Sequence, residues 1–494
     1  MPFLKKRVKL LKKGDVFTQE ITDLSHIGQG VTHVEQFPVF VEQALIGEKV
    51  TIQMDHVGQH RAFAHVLKWH TVSPDRAEGT DQVYTESGTM PLQHMKYSAQ
   101  LRFKQQQVQK LFRTVAKLPK VKVEPTLGME YPYKYRNKAQ IPVREVDGQL
   151  STGFYRRGTH DLLPIEDFII QAPEIDTAII KVRDILRAYH IQPYDELNHQ
   201  GTVRHLVIRR GHFTGQMMIV IVTNGFVLPH AQEIVQKIRQ ELPEVVSIIQ
   251  NINRERTNVI LGKQAMVLYG QDYYEDQLLG HTFQISHRSF YQVNSLQTEK
   301  LYQTALDFAE VKATDQVIDA YCGIGTMTLA FAEQAAQVDG VEIVPEAIHD
   351  AKNNAQINQI KNAHFEVAAA EKWLVTQKNQ GMTADLIVVD PPRKGLDKKF
   401  VQAAIETAPE RFVYVSCNPA TLARDVKRLI DSGIYQVGKV QPVDMFPQTN
   451  HVETVALLSK LNTEHHLDLE IGEDELSEID FSKDATYEKF KSLY

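Results

Sequence analysis

Short apolar runs alternate with stretches of helical composition along residues 300–460. The apolar runs cover residues 317–320, 338–342, 386–390 and 412–416, and a polar turn follows each of them. Runs that are apolar at nearly every position indicate strands buried on both faces of a sheet. The pattern therefore predicts a parallel, doubly wound α/β domain, in which ligands bind beyond the carboxyl ends of the strands.

Residues 1–72 have a different pattern, because short alternating runs are separated by glycine or proline and no helical period is present. The runs are residues 8–11, 21–24, 39–41, 49–54 and 62–66. Closely spaced short strands predict a small OB-like β-barrel, a common host for single-stranded nucleic acid. An SH3-like or purely structural barrel fits the same pattern.

The rest of the chain divides into a central part and a tail. Residues 75–300 mix helical and strand-like patterns, which predicts an α+β central domain before the α/β domain of residues 300–460. Residues 461–494 have an acidic bias and no sustained period, so we expect a loosely ordered tail there.

The net charge of −6 hides a segregation of charge along the chain. Residues 461–494 hold ten acidic side chains against three basic ones, whereas residues 96–160 hold fourteen basic against four acidic. Six lysines and arginines also precede the first acid, Asp15. Basic stretches of this kind predict contact with the phosphate backbone of a nucleic acid, although a solvated basic face would give the same composition.

The sequence carries no sign of export and few cysteines. It begins with a lysine-rich run that lacks the apolar core of a signal peptide, and no apolar stretch is long enough to span a bilayer, which predicts a cytoplasmic protein without a membrane partner. The two cysteines, Cys322 and Cys417, are too few for a disulfide framework or a four-cysteine metal site. Cys322 lies within a tight turn, and we interpret it as a structural residue.

A glycine-rich turn follows the first apolar strand of the α/β domain. Gly323 and Gly325 precede a helix, and Glu342 ends the next strand, twenty-three residues after Asp319. Glycines let the backbone approach a ligand closely, and an acid at that place can accept hydrogen bonds from both hydroxyls of a ribose. Thr328 occupies the place of the third glycine of the dinucleotide-binding fingerprint, so the pattern favours S-adenosylmethionine over a dinucleotide.

Side chains that could take part in catalysis follow the later strands. Asp390 begins an acid–Pro–Pro turn in which Arg393 replaces the aromatic residue typical of amino-methylating enzymes, which argues against N-methylation of adenine or cytosine. Cys417 ends the following strand at a helix start, where the helix dipole is expected to stabilise a thiolate. Glu453 opens a final strand and is a candidate general base. His451 has no partner at metal-ligand spacing, so no metal site is predicted.

This set of groups fits the methylation of a uracil at C5. That carbon is too weak a nucleophile to attack a sulfonium methyl group until a thiolate has added at C6. A base must then remove the C5 proton so that the thiolate can leave, which requires one cysteine, one carboxylate and a methyl donor in one cleft. Because stacking shields C6 in a duplex, the target must be single-stranded or flipped out.

Four motifs carry a family resemblance: D-A-Y-C-G-I-G, D-P-P-R-K-G, V-S-C-N-P-A-T-L-A-R-D and H-V-E-T-V. They resemble those of the RNA (uracil-5-)-methyltransferases, and of the 23S ribosomal RNA branch in particular. The similarity covers nearly the whole chain, since residues 1–72 resemble the TRAM domain, the RNA-binding barrel of that branch. The resemblance implies a Rossmann-like class I methyltransferase fold and an enzyme of class 2.1.1 that methylates 23S rRNA.

The same resemblance implies roles for particular residues. Cys417 matches the nucleophile and Glu453 matches the base. The side chains expected to line the S-adenosylmethionine site are Gln292, Tyr321, Thr326, Glu342 and Asp390.

One departure from the family pattern concerns an iron–sulfur centre. Many relatives carry a cysteine cluster before the segment Pro91-Leu92-Gln93-His94, but here Ser87 and Met90 stand at the expected cysteine positions. Because such a centre needs thiolate ligands, none is predicted. We expect a monomer. The same chemistry on tRNA, and a non-catalytic RNA-binding ribosome-assembly factor, are the alternatives to a 23S rRNA methyltransferase.

Overall fold

The computed structural model describes residues 11–461, and the N-terminal barrel comes first in this part of the chain. Six strands form one sheet in the order β1-β5-β6-β4-β3-β2, with β4 parallel to β6 and the other neighbours antiparallel. Alternate residues such as Val39, Ile52 and Ala64 are fully buried in its small apolar core. The strands are β1 (Val16–Glu20), β2 (Asp23–Leu24), β3 (Gly30–Val34), β4 (Phe37–Val41), β5 (Lys49–Val57) and β6 (Ala62–Trp69).

The central part is built on a seven-stranded sheet with the order β13-β12-β11-β10-β7-β8-β9, and β14 and β15 form a separate hairpin. Two amphipathic helices, α3 and α4, bury their apolar side chains in the core of this sheet. The elements are α1 (Gln82–Ser87), α2 (Tyr97–Thr114), β7 (Lys138–Val146), β8 (Gln149–Tyr155), β9 (Leu162–Pro164), α3 (Pro173–Ala188), β10 (Val203–Arg210), β11 (Met217–Thr223), α4 (Ala231–Glu241), β12 (Val245–Ile252), β13 (Gln264–Gly270), β14 (Tyr273–Leu278) and β15 (His281–Ser286).

The C-terminal part is a doubly wound α/β domain. Its sheet has the order β18-β17-β16-β19-β20-β22-β21. The elements are α5 (Ser295–Ala309), β16 (Gln316–Ala320), α6 (Thr326–Ala332), β17 (Gln337–Glu342), α7 (Pro345–Ile357), β18 (Ala363–Val367), α8 (Ala370–Asn379), β19 (Leu386–Val389), α9 (Lys398–Thr407), β20 (Arg411–Ser416), α10 (Pro419–Ile430), β21 (Tyr435–Val443) and β22 (Glu453–Lys460).

The direction of the strands departs from the prediction in one respect. The first five strands of the sheet are parallel, as the apolar runs predicted, but β22 runs antiparallel to both β20 and β21. The reason is the connection between β21 and β22, which is a loop over residues 444–452 without the crossover helix that a parallel pair requires. This loop, called the 444–452 loop below, ends at the carboxyl edge of the parallel strands.

Both faces of the C-terminal sheet are buried. Val317, Val388 and Val413 belong to one apolar core, and Ile318, Ile387 and Phe412 belong to the other. The basic helix α2 contributes Val108 and Phe112 to the second core, although it precedes the central sheet in the chain. The segment after α2 also pairs with the edge strand β21, through parallel bridges from Val123 to Val440 and from Leu127 to Val443.

The fold class thus agrees with the sequence prediction of an N-terminal β-barrel, a mixed α+β central part and a C-terminal Rossmann-like domain. No helix within residues 11–461 combines the length and the apolar character needed to cross a membrane. The basic residues before position 11 and the acidic segment after Leu461 lie outside the described residues.

Candidate active site

Five of the seven predicted site residues lie at the carboxyl edge of the C-terminal sheet. Tyr321, Glu342, Asp390 and Cys417 end or follow the parallel strands β16, β17, β19 and β20. Strand β22 begins with Glu453 at the same edge, because it runs antiparallel and Thr454 pairs with Ser416. From β16 the chain first adds β17 and β18 on one side and then adds β19 and β20 on the other side. The edge between β16 and β19 is therefore the switch point at which ligands of open α/β sheets bind.

Cys417 lies between the end of β20 and the start of α10. The side chain of Asn418 caps the helix by accepting a hydrogen bond from the amide of Ala420 at 3.1 Å, and Pro419 occupies the first helical position. Cys417 itself is half-buried, and this burial raises the pKa of its thiol to about 11. Burial thus acts against the stabilisation of the thiolate that is expected from the helix start.

Two carboxylates and one arginine share the surroundings of this thiol. After burial, the charges of Glu453 and Asp390 are the next causes that raise the pKa of Cys417, and the charge of Arg393 opposes them. Glu453 is 4% exposed, and its burial and the charge of Asp390 raise its pKa well above the ordinary value. Arg393 again acts in the opposite direction. The four side chains therefore form one electrostatic cluster.

Arg393 is held near the thiol by its own backbone. Its carbonyl oxygen accepts hydrogen bonds from Asn418 Nδ2 at 3.1 Å and from Thr421 Oγ1 at 3.3 Å. These contacts join the acid–Pro–Pro turn to the first turn of α10. In the sequence, Arg393 stood out only because it replaces an aromatic residue. Its electrostatic influence on Cys417 and Glu453 was not foreseen.

The residues predicted to bind the cofactor fall into two groups. Gln292 and Thr326 both lie beside the hydroxyl group of Tyr302. Burial and the charge of Asp390 raise the pKa of this hydroxyl. The ring of Tyr321, in contrast, packs 5.9 Å from the ring of Phe400 on α9. Tyr302 is a buried residue on α5 that the sequence did not reveal, because an aromatic residue on the buried side of a helix usually signals packing.

A second pair of acids lines the glycine-rich turn. Glu342 accepts hydrogen bonds from the amides of Ile343 at 2.7 Å and Val344 at 3.1 Å through the same oxygen, Oε1. Asp319 is fully buried and accepts a hydrogen bond from Thr328 Oγ1 at 2.6 Å, while its other oxygen, Oδ1, has no partner. Burial raises the pKa of Asp319 to about 7. The sequence used Asp319 only to mark a spacing and missed it as a buried acid.

The turn itself leaves room for a ligand. Gly323 has a φ of +56°, and a Cβ atom built on it would meet no atom within 4 Å. Cys322, the neighbouring thiol, is 5% exposed, and burial raises its pKa well above the ordinary value. The open backbone and the unpartnered Asp319 oxygen fit a polar adenosyl ligand with hydroxyl donors.

The 444–452 loop, which leads to Glu453, is fixed by buried polar contacts. Asp444 and Lys104 of α2 form an ion pair of 2.5 Å in which both side chains are fully buried. Tyr97 donates its hydroxyl to the other oxygen of Asp444 at 2.9 Å. Gln100 and Gln448 exchange two hydrogen bonds, from Gln100 Nε2 to Gln448 Oε1 at 2.8 Å and from Gln448 N to Gln100 Oε1 at 3.0 Å. Helix α2 thus holds the loop on which the predicted base depends.

The region expected to lack an iron–sulfur centre is packed by ordinary side chains. Met90 is buried in a small cluster with Tyr84, Tyr135 and Ile170. The hydroxyl of Ser87 lies 2.9 Å from that of Thr89. Among residues 11–461, no group of three or more His, Cys, Asp or Glu side chains could hold a metal ion.

A barrel joined to a doubly wound domain, with a thiol and acids at its ligand edge, is the arrangement expected of an RNA methyltransferase. Family models give the particular membership. Residues 96–461 match the model described as tRNA (Uracil-5-)-methyltransferase, and residues 11–67 match the TRAM domain. The chain belongs to the tRNA (uracil-5-)-methyltransferase family. As a member, it is an RNA methyltransferase that depends on S-adenosylmethionine, and its substrate is RNA.

Individual relatives agree with this membership. An uncharacterised RNA methyltransferase of Enterococcus faecalis is 50% identical over 91% of this chain and 98% of its own length. A second one, from Lactiplantibacillus plantarum, is 52% identical over 91% of this chain and 98% of its own length. Among solved structures, the tRNA (uracil-54, C5)-methyltransferase of Pyrococcus abyssi, in complex with S-adenosyl-L-homocysteine, is 25% identical with a TM-score of 0.72 and covers 90% of this chain and 100% of that chain.

Proposed function

We propose that this protein methylates C5 of a uridine in 23S rRNA, with Cys417 as the nucleophile and Glu453 as the general base. The observation that carries the proposal is the antiparallel pairing of Ser416 with Thr454. This pairing brings the residue after β20 and the first residue of β22 to one edge of the sheet. A half-buried thiol and a buried carboxylate therefore lie close enough for the charge of Glu453 to raise the pKa of Cys417, which burial raises first.

The reaction requires two opposite tasks at one ring. The Cys417 thiolate adds to C6 of the uracil, and the electron pair of the C5–C6 bond becomes an enolate that makes C5 nucleophilic. S-adenosylmethionine supplies the electrophilic methyl group that C5 takes up. Glu453 then accepts the proton from C5, the C5–C6 double bond forms again, and the bond between sulfur and C6 breaks.

The electrostatics of the free protein favour the neutral forms of both groups. Because the pKa of Cys417 is raised to about 11, its thiol keeps its proton at neutral pH. Burial and the charge of Asp390 also raise the pKa of Glu453, which disfavours its carboxylate form. Catalysis therefore needs loss of the thiol proton before attack, and it needs the carboxylate form of Glu453 for the later removal of the C5 proton. Arg393 favours both ionisations, since its positive charge lowers the pKa of each group.

The cofactor assignment rests on the glycine-rich turn and its neighbours. We assign Gln292, Tyr321, Thr326, Glu342 and Asp390 to the S-adenosylmethionine site. Glu342 would accept hydrogen bonds from the ribose hydroxyls, since the amides of the chain engage only one of its oxygens. Asp319, with an unpartnered oxygen beneath the same turn, is a further candidate for polar support.

A trapped adduct tests the two catalytic assignments. In a Glu453→Gln variant the adduct forms but cannot resolve, so we expect a protein–RNA complex that survives denaturing electrophoresis. Turnover should fall by about 10²- to 10⁴-fold, the usual contribution of a general base. Cys417→Ala should abolish both methylation and the adduct.

The second cysteine provides the matched control. Cys322→Ala removes the other thiol of the chain, and it should leave adduct formation intact. If Cys417→Ala protein still methylates at the wild-type rate, the covalent mechanism fails. If Glu453→Gln protein gives no adduct while its thiol is intact, the assignment of the base fails.

The substrate is tested separately. We expect the protein to transfer a labelled methyl group to 23S rRNA that has been prepared from a strain lacking the enzyme. We expect it to be a cytoplasmic monomer. Its proposed domains are the barrel within residues 1–72, the central domain of residues 75–300 and the catalytic domain of residues 300–460. tRNA is the second candidate, because the Pyrococcus abyssi protein is a tRNA methyltransferase. Activity on tRNA alone would refute the rRNA assignment, and inactivity on both RNAs would favour a non-catalytic assembly factor.

A further inference from the structure

We propose that a cavity between the barrel and the 444–452 loop binds an unstacked nucleobase of the RNA that neighbours the target uridine. The cavity has a volume of about 200 Å³. Its walls come from the barrel residues 27–29 and 42–43, the segment 85–94, Arg157 and Asn450. The inference rests on the proposed function only for the identity of the neighbouring target base.

The position of the cavity relates it to the active site. Asn450 lines the cavity and lies three residues before Glu453, a distance of at most about 11 Å along an extended chain. Burial and the charge of Arg393 lower the pKa of the adjacent His451, and Arg393 belongs to the cluster around Cys417. A single strand with its target base at Cys417 would therefore carry a neighbouring nucleotide past the opening of the cavity.

His94 provides the strongest sign of a ligand. Its side chain lines the cavity, is 1% exposed, and has no hydrogen-bond partner on either ring nitrogen, since the facing carbonyl of Pro91 lies outside hydrogen-bond geometry. Burial lowers the pKa of His94 to about 4, so the ring is neutral at pH 7 and offers one donor and one acceptor. A buried polar ring without partners is unfavourable until something fills the space before it.

The rest of the lining has the composition of a base pocket. Ile27, Met90 and Pro91 present apolar surface, and the amide side chains of Gln29 and Asn450 can both donate and accept hydrogen bonds. An unstacked base needs apolar contact on its faces and amide-like partners on its edges. A purely apolar ligand would leave these polar groups unpaired, and a highly charged one would find only Arg157 and Glu42.

Arg157 and Glu42 occur together at the rim. Arg157 Nη1 donates to Glu42 Oε1 at 3.1 Å, and both side chains are more than half exposed. An exposed pair of this kind is weak, so the guanidinium can exchange the carboxylate for a phosphate of the RNA. The rim would then hold the backbone of the nucleotide whose base enters the cavity.

The walls of the cavity are joined to one another by close packing and hydrogen bonds. The barrel turn at Gly28 packs closely on Leu92, because a Cβ atom at Gly28 would lie 2.2 Å from Leu92 Cδ2. Leu92 N donates to Gln448 O at 3.0 Å, and Gln43 Nε2 donates to Thr85 Oγ1 at 3.1 Å. The barrel, the segment 85–94 and the 444–452 loop are thus joined directly around the cavity.

Two substitutions test the proposal in the full-length protein. His94→Phe keeps an aromatic ring and removes both nitrogens, and Arg157→Ala removes the cation at the rim. With unmodified 23S rRNA, or with tRNA if that is the RNA the wild type methylates, each should weaken RNA binding about 10-fold or more, as loss of a bound base does. Arg156→Ala is the matched control, because Arg156 pairs with Glu86 and does not line the cavity. Its RNA affinity should stay within about twofold of wild type.

A crosslinking experiment keeps the test independent of folding defects and of catalysis. The wild-type protein is irradiated with the same RNA containing 4-thiouridine, and the crosslinked peptides are identified by mass spectrometry. We expect crosslinks in residues 27–29 or 85–94. Crosslinks confined to other segments, or a His94→Phe affinity within twofold of wild type, would overturn the proposal and leave a cavity that holds only water. Failure of the proposed function would instead appear as absence of the Cys417 adduct in a Glu453→Gln protein whose cavity residues are unchanged.

Discussion

The buried ion pair between Lys104 and Asp444 makes the sharpest prediction about how the site is held. In a Lys104→Met variant the side chain keeps its apolar length and loses its ammonium group. The carboxylate of Asp444 then retains the Tyr97 hydroxyl as a donor, and the carbonyl of Phe446 loses the Lys104 ammonium, which donates to it at 3.1 Å. Both members of the pair are 0% exposed, so water cannot replace the lost charge.

The expected size of the effect follows from this burial. Removing one partner of a buried pair leaves an uncompensated charge and destabilises a protein by about 3–5 kcal/mol. For a folded region of about 450 residues, the entropy of unfolding is about 0.9 kcal/mol per kelvin, so the melting temperature should fall by about 3–5 °C. The surface pair of Lys110 with Asp23, both more than half exposed, is a matched control, and Lys110→Met should change the melting temperature by at most about 1 °C.

Thermal unfolding followed by circular dichroism measures both variants under the same conditions. The double variant Lys104→Met/Asp444→Asn removes both charges, and it should recover at least half of the lost stability, because the unpaired charge causes most of the destabilisation. If Lys104→Met melts no lower than Lys110→Met, the pair does not carry the contribution assigned to it. If the double variant is no more stable than the single one, packing rather than charge explains the loss.

Three further predictions concern the charges and the glycine turn of the site. Because burial raises the pKa of Asp319 to about 7, the folded protein binds a proton more tightly than the unfolded chain and loses stability as pH rises from about 4 to 7. Asp319→Asn should remove this loss, so its melting temperature should be higher than that of the wild type at pH 8 but not at pH 4. Equal pH profiles of the two proteins would contradict this prediction. Arg393→Gln should raise the pKa of Cys417, so single-turnover adduct formation at pH 7.5 should slow by about tenfold and recover partly at higher pH; an unchanged rate would exclude the role of the cation. Gly325→Ala places a side chain at a φ of +85° and 3.1 Å from the Phe365 ring, so S-adenosylmethionine affinity by calorimetry should fall about tenfold, and wild-type affinity would show that the turn tolerates a side chain.

The sequence predicted the parallel part of the fold and most of the strand-end residues. Apolar runs identified β16, β17, β19 and β20, and parallel strands necessarily bring the residues that follow them to one edge. Glu342, Asp390 and Cys417 could therefore be grouped before any coordinates were known. The family resemblance supplied Gln292 and Thr326, which lie outside this strand-end rule.

Other features could not be predicted, because they depend on contacts between distant parts of the chain. The pairing of Ser416 with Thr454 requires β22 to run antiparallel, and an apolar run does not reveal the direction of its strand. The buried pair of Lys104 and Asp444 joins residues 340 positions apart, and each looks like an ordinary surface charge in the sequence. The high pKa of Cys417 likewise results from burial and from neighbouring acids, which the local sequence does not reveal.

The packing of helix α2 has a consequence for how the molecule can be divided. Its side chains Val108 and Phe112 complete the second core of the catalytic domain, and the residues after it extend the sheet beyond β21. A fragment that begins at residue 300 would expose this apolar surface and leave Asp444 without its cation. Residues 300–460 therefore complete their second core with a helix that precedes the central sheet in the chain, and this core can reach its final form only after ribosomes have synthesised the chain as far as β22.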